Sequence, residues 1–210
     1  MKPFTFMHGK EPWPEGLTLL HVYVVADLAR NPGLAALVEG CRSATDGFPL
    51  AHVGDDWFHL TLYQLGVPAA QVTGPERDAL AAALRARLRD VPPFTISIGS
   101  ALSYRSGVIF DAGPDSPLNE LRASVAAAVG DARGPEASRY DTGVLHLTES
   151  YATGEADSDQ VQRQLRRVRP SHAPLLVDAV ELVDVAAGLG PKRVVDLSVS
   201  RLSLRRVPDT

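Results

Sequence analysis

Cysteine is almost missing from this 210-residue chain: Cys41 stands alone, so no disulfide can close within it and a reducing compartment is expected. An excess of positive charge is missing too, since the formal net charge is −4. That argues against a general binder of duplex DNA or of a membrane surface, and leaves room for a small nucleotide or a single RNA end. Lysine occurs only at positions 2, 10 and 192, so arginine carries the positive charge. Arginine suits planar phosphate contacts, although codon bias accounts for its abundance more simply. Long apolar runs are also lacking. The longest, LTLLHVYVVADLA (17–29), is too short and too interrupted to cross a bilayer, and the opening MKPFTFMHGKEPWPEG has no signal-peptide core. With 45% apolar and 22% charged residues, the balance is that of an ordinary globular domain. A soluble, cytoplasmic monomer with no membrane and no duplex-DNA partner is the expectation.

Residues 1–16, with Pro3, Pro12 and Pro14, read as a tail or loop, and residues 17–210 as one domain. A β-branched run predicts a strand over 17–28, and Asn31–Pro32 opens a helix over 31–43. WFHLTLYQLG (57–66) reads as a strand. Thr73, Pro75 and Glu76 start the clearest helix, 73–90, with Leu80, Leu84 and Leu88 in one stripe. FTISIGSALSY and GVIFDAG pair around a turn, a second helix covers 116–129, and a polar loop leads into VLHLTESYATG. A polar helix over 157–168 follows. Two closing strands, APLLVDAVELVDVAAG and RVVDLSVSRLSL, are joined by a hairpin turn at LGPK.

One tripeptide, HLT, occurs twice, at 59–61 and 146–148. Each copy lies in a predicted strand, and each is followed by helix, strand, strand. A repeat of that length means duplication of a lobe. In a strand, residues i and i+2 share a face, so His59 points with Thr61 and His146 with Thr148. Lobes related by a pseudo-twofold would converge two imidazoles and two hydroxyls on one cleft, with Leu60, Leu62 and Leu147 turned to the cores. Such a quartet suits phosphodiester chemistry without a metal. One neutral imidazole takes a proton from the attacking oxygen, and the other, protonated, gives one to the leaving oxygen. The threonines donate to the non-bridging oxygens. The plainer reading, two strand histidines each satisfied by a backbone carbonyl, leaves the repeat unexplained.

With HLTL (59–62) and HLTE (146–149), the sequence resembles the 2H phosphoesterase superfamily, in particular its LigT-like 2'-5' RNA ligase / 2',3'-cyclic phosphodiesterase branch. That superfamily carries one H-x-[ST]-h motif in each of two lobes. Leu65–Gly66 and Tyr151 match common positions. Glu149 departs from the usual apolar residue, and Leu145 from a common proline. The resemblance implies a bilobal α+β fold of antiparallel sheet and helices around a central cleft. It also implies work without cofactors on 2',3'-cyclic or 2'-5' phosphodiesters of RNA ends or small nucleotides. By the same resemblance, His59 and His146 would be the acid–base pair, without saying which is which, and Thr61, Thr148 and Tyr151 would hold substrate. RNA ligation at the same site and a non-catalytic phosphate- or RNA-binding module are the alternatives. Strand alternation turns Glu149 away from the cleft.

Other residues invite weaker readings. His52, Asp55, Asp56 and His59 form a metal-like run whose spacing matches no defined site. His21 and Tyr23 share a strand face, either bordering the cleft or packed as a hydrogen-bonded pair. Tyr63 and Ser150 have the parity of the motif residues and so could line the cleft. RQLRRVR (163–169), with Arg201, Arg205 and Arg206, is either a solvated face or an RNA-backbone rim. GLGPKR (188–193) lacks the phosphate-loop pattern.

Overall fold

The structure, a computed structural model, describes residues 1–137, 143–186 and 197–204. The expected LGPK turn and Arg205 and Arg206 lie outside the described residues. A short hairpin of β1 (Met7–His8) and β2 (Glu11–Pro12) precedes β3 (Thr18–Val25) and α1 (Pro32–Ala44). Then come β4 (Leu50–His52), β5 (His59–Pro68), α2 (Gly74–Leu88), β6 (Phe94–Tyr104), β7 (Gly107–Gly113) and α3 (Asp115–Arg133). The chain closes with β8 (His146–Ala152), α4 (Ser158–Leu165), β9 (His172–Val177), β10 (Ala179–Ala186) and β11 (Leu197–Ser203).

Local chemistry accounts for the helix starts. The Thr73 N–H donates to Glu76 Oε2 at 2.8 Å, closing a capping box on α2. At α4, Asp157 Oδ1 accepts from the backbone N–H groups of Asp159 and Gln160. Leu80, Leu84 and Leu88 are buried, as their stripe requires.

Two antiparallel sheets form the lobes, with strand orders β11-β10-β3-β5 and β4-β8-β7-β6-β9. Helices α2 and α3 pack on the first through β11 and β5, and α1 and α4 on the second through β9 and β6. One apolar core runs through both lobes, from Leu60 and Leu62 on β5 to Leu147 on β8. The fold is thus the expected bilobal α+β arrangement of two sheets with helices, but lobes and chain order are exchanged. The strands that follow His59, β6 and β7, join the sheet of His146, while β10 and β11 join the sheet of His59.

Two differences follow from tertiary context. The single strand expected at 173–188 is broken at Asp178 into β9 and β10, which lie in different sheets, a division that an unbroken β-branched pattern conceals. The N-terminal segment, expected as a tail or loop, forms the β1–β2 hairpin and hydrogen-bonds to the body: the Phe4 N–H donates to the Ala152 carbonyl at 2.8 Å. Among the described residues no helix is long and apolar enough to cross a membrane.

Candidate active site

His59 opens β5 one residue past a 3₁₀ turn at Asp55–Trp57, and His146 opens β8. Each ring is fixed in the same way. His59 Nδ1–H donates to the Trp57 carbonyl at 2.7 Å, and His146 Nδ1–H to the Val144 carbonyl at 2.8 Å. Both acceptors lie two residues upstream, so each neutral ring carries its proton on Nδ1 and presents an unprotonated Nε2. The carbonyl bond expected of a structural histidine is present, and it leaves the other nitrogen free for chemistry. One small cleft is lined by His59, Thr61, Val144, Leu145, His146 and Thr148. Leu60, Leu62 and Leu147 are buried on the opposite strand faces.

The symmetry extends to an irregularity. Across β3–β5, Val22 pairs with Tyr63 and Tyr23 with Thr61, so Leu62 is an extra residue in β5. Across β7–β8, Val108 pairs with Ser150 and Ile109 with Thr148, so Glu149 is the extra residue in β8. Both bulges fall directly after the motif threonine, and a bulge reverses the facing of everything beyond it. Simple alternation therefore misplaces two residues. Tyr63 packs against the core and Ser150 is fully buried, so neither lines the cleft. Tyr151 instead comes round to the side of Thr148, and the two hydroxyls share a hydrogen bond. Burial raises the Tyr151 phenol above its ordinary range, opposed by that bond.

Burial in an apolar wall drives the His59 imidazole down to about 4; the Trp57 carbonyl opposes this and the His146 ring adds to it. His59 is therefore neutral at neutral pH. Tyr23 stacks on His59, ring centres 3.9 Å apart and planes 14° from parallel. The Tyr23 hydroxyl shares a 2.7 Å hydrogen bond with His21 Nδ1. Burial pushes His21 down to about 3, with the charge of His59 as the smaller cause. Of the two readings of this pair, the packed, hydrogen-bonded one is what the structure shows: both residues are buried, neither lines the cleft, and Tyr23 meets the site only by stacking on His59.

Glu149 is fully buried and faces away from the cleft, as alternation up to the bulge requires. Its Oε1 lies 2.7 Å from His52 Nδ1. The metal-like run is thereby dispersed: His52 turns to Glu149, Asp55 pairs with Arg42 at 2.7 Å, and His59 faces the cleft. Among the described residues no three His, Cys, Asp or Glu side chains gather as metal ligands. Cys41 is buried, and burial next to the Glu149 charge drives its thiol up to about 12. Within RQLRRVR, Arg166 and Arg169 line a separate pocket with His172.

A family model described as the 2'-5' RNA ligase superfamily matches residues 31–188. Among solved structures, TT0787 of Thermus thermophilus is similar at 21% identity and a TM-score of 0.62, over 89% of this chain and 98% of that one. E. coli LigT complexed with NADP+ is similar at 20% identity and a TM-score of 0.59, over 90% and 99%. A conserved protein of unknown function from Agrobacterium tumefaciens, ATU0111, aligns at 16% identity and a TM-score of 0.54, over 95% and 94%. No curated protein matches the chain.

Proposed function

This chain belongs to the 2'-5' RNA ligase superfamily, and on that premise we propose that it is a phosphodiesterase that opens 2',3'-cyclic or 2'-5' phosphodiesters without a metal. The observation that carries this reading is the matched pair of imidazoles, each anchored through Nδ1 with Nε2 left for the shared cleft. His59, held neutral by burial, is the general base. His146 is the general acid. Water attacks phosphorus as His59 Nε2 takes its proton; the bond from phosphorus to the ring oxygen breaks as His146 Nε2–H gives that oxygen a proton. One phosphomonoester and one free hydroxyl result, and the charge on the two imidazoles has exchanged. Thr61 and Thr148 donate hydrogen bonds to the non-bridging oxygens, on which charge develops in the transition state, while Tyr151 holds the Thr148 hydroxyl. E. coli LigT complexed with 3'-AMP makes nucleoside phosphates the first substrates to try.

The test is hydrolysis of 2',3'-cyclic mononucleotides in EDTA, with products identified by the position of the phosphate. His59→Ala and His146→Ala should each lose about 10²–10⁴-fold in kcat, the usual contribution of one positioned acid or base. Full activity in either variant would remove that histidine from the mechanism, and abolition of activity by EDTA would point to a metal hydrolase.

A further inference from the structure

The aromatic residues that back the cleft lead, on both lobes, to the same N-terminal segment. On the second lobe, the Lys2 N–H donates to the Arg105 carbonyl at 2.9 Å and the Phe4 N–H to the Ala152 carbonyl at 2.8 Å. These bonds lay Phe4 and Phe6 on Tyr151, with ring centres 4.6 and 5.1 Å away. Phe4 and Phe6 also meet each other edge-on at 4.8 Å. The chain then crosses to the first lobe. The Trp13 N–H donates to the Phe6 carbonyl and its Nε1–H to the Leu17 carbonyl, both at 2.9 Å. This sets the Trp13 ring edge-on to His21, 6.4 Å between centres. His21 in turn fixes the Tyr23 hydroxyl, and Tyr23 stacks on His59.

We propose that residues 2–13 are a brace for the active site, positioning His59 through Trp13, His21 and Tyr23, and positioning Thr148 through Phe4, Phe6 and Tyr151. The inference rests on the catalytic reading of His59 and Thr148 given above. Phe4, Phe6, Trp13, His21 and Tyr23 all precede the span matched by the family model, so the brace is argued from this chain's own geometry. Tyrosines beside an open cleft have free side-chain torsions and admit water to whatever they touch. Here each is held at its hydroxyl by a hydrogen bond, and a ring of the N-terminal segment packs either on it or on its partner. The consequence differs between the arms. Tyr23 covers one face of the His59 ring and shields that face from water. Tyr151 fixes the rotamer of the Thr148 hydroxyl. Among the described residues, the titratable groups next to His59 include His146 across the cleft and Tyr23 with His21 on β3; one strand further, Glu181 stands in register with Tyr23 and pairs with Arg201.

The experiment uses the full chain with Trp13→Ala and, separately, Phe4→Ala/Phe6→Ala. It reads kcat and KM on a 2',3'-cyclic mononucleotide and the titration of the His59 ring by NMR. Loosening the first arm should lower kcat about tenfold, as small misplacements of a reacting group do. It should also move the His59 midpoint from about 4 toward the ordinary 6.5. Loosening the second should lower kcat/KM about tenfold through the phosphate holder, whose hydrogen bond strengthens in the transition state, and leave the His59 midpoint where it is. If an alanine variant does not fold, Trp13→Leu or Phe4→Leu/Phe6→Leu, which keep bulk without the ring, carry the same expectations. Folded variants with wild-type kcat, KM and His59 midpoint would overturn the brace. Full activity in His59→Ala would overturn the catalytic reading instead, while the NMR titration would still report whether Trp13 governs the surroundings of His59.

Discussion

Glu149 occupies the bulge position that Leu62 fills in the other motif strand, and it is fully buried there. A buried carboxylate is tolerable only with a partner, and His52 supplies one for Oε1, while Oε2 has none among the described residues. Removing the partner should therefore cost more than removing the pair. His52→Ala is expected to lower stability by about 2–3 kcal/mol, less than a fully enclosed pair would because His52 is partly exposed. Glu149→Leu, which copies the other lobe, should be neutral or stabilising. Denaturant unfolding of the two variants measures both. His21 and His59 make a second prediction. Their folded-state values, about 3 and about 4, lie below the ordinary 6.5, so between these limits the unfolded chain binds more protons than the folded one. Stability is then complete above pH 6.5 and falls by a few kcal/mol as the pH drops toward 3–4. Thermal unfolding should show this decline, and His21→Gln should flatten it.

The two motif strands are elements whose irregularity matters as much as their pattern. The HLT repeats and the parity of His59, Thr61, His146 and Thr148 were legible because the first three residues of each strand precede the bulge. Tyr63 and Ser150 were misplaced because no residue type near Leu62 or Glu149 signals an extra residue, and both bulge positions bear ordinary side chains. Resemblance singled out Tyr151, whereas alternation alone would have turned it away. Gly107 shows how closely β7 approaches β8: it pairs with Tyr151, and a Cβ there would collide with the Ser150 carbonyl. Gly107→Ala should push the strands apart, costing about 1–3 kcal/mol, and should lower kcat/KM by disturbing Tyr151. Unfolding and steady-state kinetics on the one variant check both effects.

For the whole molecule, the repeated HLT tripeptide and the element order after each copy were enough to expect two lobes, but not which strand joins which sheet. The exchange of β6 and β7 with β10 and β11 depends on long-range pairing, and the crossing at Asp178 lies inside an apolar run that reads as one strand. That exchange ties the lobes together: each sheet takes strands from both halves of the chain, and one core serves both. The two imidazoles line one small cleft between strands of the two sheets, which suits the division of labour proposed for them. In the proposed mechanism His59 takes the proton and His146 gives one. A nucleoside phosphodiester with p-nitrophenol as leaving group tests this most directly, because so weak a base departs without a proton donor. On that substrate His146→Ala should regain most of the wild-type rate, within about tenfold, while His59→Ala stays at least about 10²-fold down. Equal impairment of both variants, or rescue of His59→Ala instead, would contradict the account.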